Sequence, residues 1–351
     1  MKTFGRYFVY RLKQSALRTV VFTLLSLVLC LSVVGDCISV QSDIHKSTGL
    51  YILATVLGIL CTLIPILELS GFKNRRNLDT LYFFPIKRTK MALAHYLSGA
   101  LQVFVIYTVS FLSVWLYLAV KTECFRLEYM PLYYIFSLLI GAIMYSIFSF
   151  LFGEANTVAD GVLFCGLWVF VISLVMVVGR AYILKPLIFG KDIWTLTTDF
   201  SGWGIIYAPI NNLTVIFQDA MEVQKQSLPY DYNSRYADIY LSQMYMFFVW
   251  GAVGIAATVG YFITFNRKGA HLTGEISSSI FGYKLLIPLY GYSLLLMFSD
   301  LDDIMVIITF ALMLIGYFVY RRGFKIKPRD IVFIACGIVP VILGQVLQGI
   351  N

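Results

Sequence analysis

This sequence is short of charge. Only 13% of its residues are Asp, Glu, Lys or Arg, against 59% hydrophobic ones. A soluble domain carries about 25% charged residues around its core, so this chain cannot build an ordinary charged shell. Catalytic sets are missing as well. No G-x-x-x-x-G-K-[ST] phosphate loop is present, which excludes Walker-type ATP binding by this chain. No G-x-S-x-G elbow occurs. The three histidines, His45, His95 and His271, lie in separate segments without metal-ligand spacing, which makes a His-based zinc site unexpected. There is no CxxC pair, and Cys30, Cys61, Cys165 and Cys336 sit in apolar runs as small hydrophobes. A disulfide between Cys37 and Cys124 has little to recommend it beyond their placement near one face.

The apolar residues form long unbroken runs. About 20 of them in a helix cross about 30 Å of hydrocarbon. Helices are the expected solution, because lipid offers no partner to a free backbone amide or carbonyl. The fold class is therefore all-α, polytopic in a membrane. Nine candidate spans run over Thr19–Val40, Gly49–Leu69, Ala92–Val120, Pro131–Phe152, Gly161–Val178, Met244–Phe265, Ser279–Phe298, Ile304–Tyr320 and Ile331–Leu347. The first run is too long for a cleavable leader and lacks a small-x-small exit.

Topology follows from the basic residues. Lys2, Arg6, Arg11, Lys13 and Arg18 precede the first span. Lys73, Arg75, Arg76, Lys87, Arg88 and Lys90 follow the second. Arg267 and Lys268 follow the sixth, and Arg321, Arg322, Lys325, Lys327 and Arg329 the eighth. Nine spans with the N-terminus inside put all four groups on the cytoplasmic side. One loop breaks the rule: Glu154 to Asp160 should be cytoplasmic yet has no Lys or Arg. Residues 1–18 read as an amphipathic helix lying in the interface, or as a basic flank of the first span. The acidic group Asp300, Asp302 and Asp303 reads as a solvated turn rather than a cation site.

Between the fifth and sixth spans lies a long outer region, 179–243. In it Leu213 to Met221 can form a short amphipathic or re-entrant helix, and Asn212, Leu213 and Thr214 make a chance glycosylation sequon. Ala252, Ala256 and Gly260, and Ser137 with Gly141, form small-residue stripes suited to close helix packing. Asp36, Glu68 and Lys284 are placed near span ends, within reach of interfacial water. Without a buried charged relay, a proton- or sodium-driven pump is disfavoured.

The segment from Gly71 to Lys90, GFKNRRNLDTLYFFPIKRTK, can form a short cytoplasmic helix ended by Pro85. Leu78, Leu81 and Tyr82 fall on one face, with Arg75, Arg76 and Asp79 set to reach polar partners. A plain basic loop that only sets topology reads equally well. This segment resembles the coupling-helix region of ABC-2-type permeases, the transmembrane subunits of ABC exporters. In that family a basic interfacial helix precedes the first span. After the second come an Arg, an Asp three or four residues on, an apolar-apolar-Pro turn and a basic pair. Here Arg75 or Arg76, Asp79, Phe83, Phe84, Pro85, Lys87 and Arg88 stand in those places.

The resemblance covers about the first 265 residues and implies a six-span core (19–265, after the 1–18 helix) of the type V exporter kind. Residues 266–351 then add about three spans that the family pattern lacks. It further implies an ATPase-docking surface made by Arg75, Arg76, Leu78, Asp79, Tyr82, Phe83 and Pro85. No cofactor is expected on this chain, with ATP and Mg on a separate ABC ATPase present in two copies. A second permease copy, as homodimer or related heterodimer, and membrane lipid are the other partners; nucleic acid is not. The chain is similar to small Gram-positive exporters of amphipathic peptides such as phenol-soluble modulins, in the bacterial cytoplasmic membrane. The competing reading is an ATP-independent membrane immunity or sensor protein.

Overall fold

The structure is a computed structural model that describes residues 2–39, 48–74, 86–121, 127–178, 208–221, 245–268, 272–297, 303–339 and 341–342. Among these residues every regular element is helical. The long helices are α1 (Lys2–Ser39), α2 (Thr48–Leu69), α3 (Arg88–Lys121), α4 (Met130–Glu154) and α5 (Val158–Val178). They are followed by α6 (Ala208–Met221), α7 (Tyr245–Arg267), α8 (Leu285–Met297), α9 (Asp303–Arg321) and α10 (Pro328–Cys336). Seven of them are long and apolar enough to cross a membrane, namely α1 to α5, α7 and α9. That is the pattern of a multi-pass membrane protein. The seventh expected span is present as a shorter apolar helix over Ile280–Leu296. Of the ninth, α10 covers the beginning, and residues 343–351 lie outside the described residues.

The described chain groups into two compact units. The first holds α1, α2, α3, most of α4, α6 and α7. The second holds Lys73, the last turn of α4 from Leu151, α5 and α8 to α10. The fifth helix thus groups with the C-terminal helices, where the sequence reading drew a boundary at residue 265.

In the first unit α1 is one unbroken helix. No interruption separates residues 1–18 from the span that follows them. Its buried face is set by helical spacing: Tyr7, Ser15, Ser26, Cys30 and Val34. Polar pairs fasten the helices. Ser26 and Ser110 hydroxyls lie 2.8 Å apart, and Tyr107 donates to Ser137 at 2.8 Å. Cys61 donates its thiol to the Gly141 carbonyl at 3.3 Å. A Cβ on Gly141 would meet Leu57 at 3.0 Å, and one on Gly260 would meet Phe150 at 2.8 Å, so these small residues serve packing within the chain. Ala252 and Ala256 do not; both are exposed, and α7 packs through Gly254 and Ala257 instead.

The short helix expected in the outer region is present as α6, beginning at Ala208. Its 14 residues reach about 21 Å, too short to span. Ile210, Leu213, Thr214, Phe217 and Met221 form its buried stripe. Thr214 is buried and its hydroxyl lies 3.1 Å from that of Tyr133.

The second unit packs α5 and α9 against α8. A kink precedes α8: Gly282 is non-helical inside a π-type turn over Ile280–Lys284. A Cβ there would lie 2.5 Å from the Phe164 ring. Trp168 donates its indole N–H to the Phe281 carbonyl at 2.7 Å, which ties this kink to α5.

Candidate functional site: a buried charged tie

The first unit brings four chain ends together: the start of α1, the end of α2, the start of α3 and the end of α7. Glu68, the next-to-last residue of α2, is 1% exposed. Arg11 and Arg18 of α1 stand two turns apart on one face, and both reach it. Arg11 donates to Glu68 Oε2 at 2.7 Å, and Arg18 pairs with Oε1. From α3, Gln102 donates its amide to Oε1 at 2.6 Å and accepts from Arg18 at 2.8 Å and 3.1 Å. His95 places Nδ1 3.4 Å from Oε2, and its Nε2 lies 2.9 Å from the Tyr7 hydroxyl. Phe72 closes the group, edge-on to His95 at 4.5 Å and to Phe265 of α7 at 4.9 Å.

This overturns one expectation. Glu68 does lie at a span end, but it is buried against two guanidiniums instead of being eased by interfacial water, and so forms a buried charged cluster. Sequence reasoning missed it because it took each charge on its own. Two signals were available. Tyr7, Arg11, Ser15 and Arg18 repeat at helical spacing on the face that continues as Ser26, Cys30 and Val34. Glu68 is the one acidic residue in an otherwise apolar α2.

Chemically the cluster is a joint rather than a binding site. Both oxygens of Glu68 are occupied by donors on α1 and α3, so no face of the carboxylate is open to an incoming cation. Buried charges persist when paired, and here only Arg11 Nε and His95 Nδ1 among the buried side-chain atoms of the cluster lack a hydrogen-bond partner. Here that pairing welds α1, α2 and α3 at one end.

The residues predicted to dock an ATPase, Arg75, Arg76, Leu78, Asp79, Tyr82, Phe83 and Pro85, lie outside the described residues. So do the side chains of Asp36, Cys37, Cys124, His45, His271 and the acidic group at 300–303. What the structure does show is how the flanks of 75–85 are held. Before the segment, Glu68 and Phe72 belong to the tie. After it, Arg88 donates to the Lys268 carbonyl at 3.2 Å, and His95 returns to the tie. No family model matches the chain, and no curated protein matches it.

Proposed function

We propose that this chain is the transmembrane permease subunit of an ATP-driven ABC exporter in a bacterial cytoplasmic membrane. Separate ABC ATPases, carrying the ATP and Mg, dock under residues 71–90. Two permeases, identical or related, enclose the pathway, and the cargo is an amphipathic peptide or lipid-like molecule. The resemblance of the Gly71–Lys90 segment supplies the family and the direction.

The observation that carries the reading is the Glu68 tie on both flanks of that segment. A push on a loop does work only if the loop is stiffly joined to the helices that must move. Glu68 fixes the chain before the segment to α1 and α3, and His95, on α3 after the segment, reaches the Tyr7 hydroxyl of α1 and lies 3.4 Å from Glu68. Movement applied between them reaches three spans together. ATP shifts such a permease only by its differential affinity for the two conformations. The saturated carboxylate also fits a transporter that draws its energy from another chain, since Glu68 itself offers no open oxygen to a coupling ion.

The test is purification of the tagged chain from its host membrane, with mass spectrometry of what accompanies it. A co-purifying protein with a Walker A loop is expected. It should be lost from an Arg76→Ala/Asp79→Ala double variant that still inserts in the membrane. If no such protein accompanies the wild-type chain, the exporter reading fails and the ATP-independent sensor or immunity reading takes its place.

A further inference from the structure

The turn between α4 and α5, Glu154 to Asp160, has no basic residue of its own. The structure supplies two from elsewhere in the sequence. Lys73 donates to the Gly153 carbonyl at 3.0 Å and also to that of Ala155, satisfying carbonyls at the end of α4 as cations do at helix C-termini. Arg322 reaches Asp160 at 3.5 Å from the turn after α9.

Between these two cations the C-terminal chain is laid against the turn. Asn156 makes three bonds to it: its N–H donates to Ser277 Oγ at 2.8 Å, its amide donates to the Ile276 carbonyl at 3.3 Å, and its carbonyl accepts from Gly274 N–H at 3.1 Å. Gly274 has φ 87°, a left-handed backbone that favours glycine. Ser277 passes its own proton on to Asp160 Oδ2 at 2.8 Å, and the Tyr283 hydroxyl donates to Oδ1 at 2.9 Å. Ser279 donates to Glu154 at 2.5 Å. Arg322 donates to the Gly274 carbonyl at 3.1 Å as well.

We propose that the C-terminal helices brace the α4–α5 turn through this clasp, and that the turn in turn positions Lys73. Asp160, Ser277 and Asn156 are positioning residues that act through Lys73 on the chain leaving α2. This gives the C-terminal extension a task. It sets the first residues of the proposed docking segment, and it rests on the exporter reading only for what that segment docks.

The experiment is limited trypsin digestion of the purified full-length chain, following cleavage after Lys73 by mass spectrometry. In the wild type Lys73 is occupied by two carbonyls and cleavage is slow. Asp160→Asn and Ser277→Ala should each raise that rate about tenfold, the factor equivalent to about 1.4 kcal/mol. Ser277→Thr, which keeps the hydroxyl, should restore the wild-type rate. Asp330→Asn, which breaks a different ion pair in the same unit, should leave it unchanged. The proposal falls if Ser277→Ala leaves the rate at the wild-type value. It falls equally if Ser277→Thr fails to restore it, or if Asp330→Asn raises it as much. Should Asp160→Asn not yield folded protein, the two Ser277 variants decide. No ATPase enters this assay, so its result is independent of co-purification.

Discussion

Glu68 and Asp160 are both carboxylates buried in apolar helical surroundings, at 1% and 7% exposure, yet they keep different company. Glu68 is held by two guanidiniums, an amide and an imidazole on two neighbouring helices. Asp160 is held by two hydroxyls, with a guanidinium at 3.5 Å whose side chain is 45% exposed. Full charges in a dry site must all be matched, so the first arrangement is costly to open and behaves as a permanent joint. Neutral donors can return to water at modest cost, so the second can open and reclose. The same residue type therefore makes a weld in one unit and a clasp in the other.

That contrast is broken most directly at Glu68. Glu68→Ala leaves the half-buried Arg11 and Arg18 without their acid and should cost about 3 kcal/mol, the lower end of the range for removing one partner of a buried pair. The expected outcome is loss of monodisperse protein in detergent, or a collapse of the thermal midpoint. Replacing Glu68, Arg11 and Arg18 together with apolar residues of similar size should restore much of it, because no charge is then left unmatched. Asp160→Ala in the same assay should cost only about 1–3 kcal/mol. Equal losses at the two sites would erase the distinction between weld and clasp.

Much of the architecture was legible because lipid makes it so. Long apolar runs had to be helices, and seven of the expected spans are helices long enough to cross. Arg11, Arg18 and Glu68 meet in one unit, and Arg88 reaches the Lys268 carbonyl in the same unit. What escaped was the pairing of charges between distant segments. Glu68 meets Arg11 across 57 residues of sequence and Arg18 across 50, and spacing in a single sequence marks the members of such a cluster without showing which side chains meet. The same holds for the Glu154–Asp160 turn. Its missing cations came from Lys73 and Arg322, which a rule that counts charges loop by loop cannot see. The grouping of α5 with α8 was hidden likewise, because it depends on Phe164 fitting against Gly282.

That fit provides a smaller test within the second unit. A Cβ at residue 282 would meet the buried Phe164 ring at 2.5 Å. Gly282→Ala should cost about 1–3 kcal/mol by overpacking. Phe164→Leu in the same chain should recover part of the lost thermal midpoint by opening room for the methyl. If Gly282→Ala alone is neutral, the kink before α8 is looser than its contacts imply.

The smallest expected effect concerns the Asp330 pair, and its signature is a pH window. Burial opposes ionisation of Asp330, but two hydrogen bonds from Arg321, at 2.8 Å and 3.1 Å, and one from the Lys327 N–H at 3.0 Å outweigh it. The carboxyl is held below its ordinary value. A group whose folded pKa is depressed adds stability that is fully present above its unfolded pKa, about 3.9 for Asp, and is lost as pH falls through the folded value. The wild type should therefore exceed Asp330→Asn by on the order of 1 kcal/mol near neutral pH. That gap should hold down to about pH 5 and close at lower pH. Thermal midpoints of the two proteins across this range measure it. A gap that stayed constant to pH 3 would mean that Asp330 contributes through shape and hydrogen bonding alone, with no dependence on its charge.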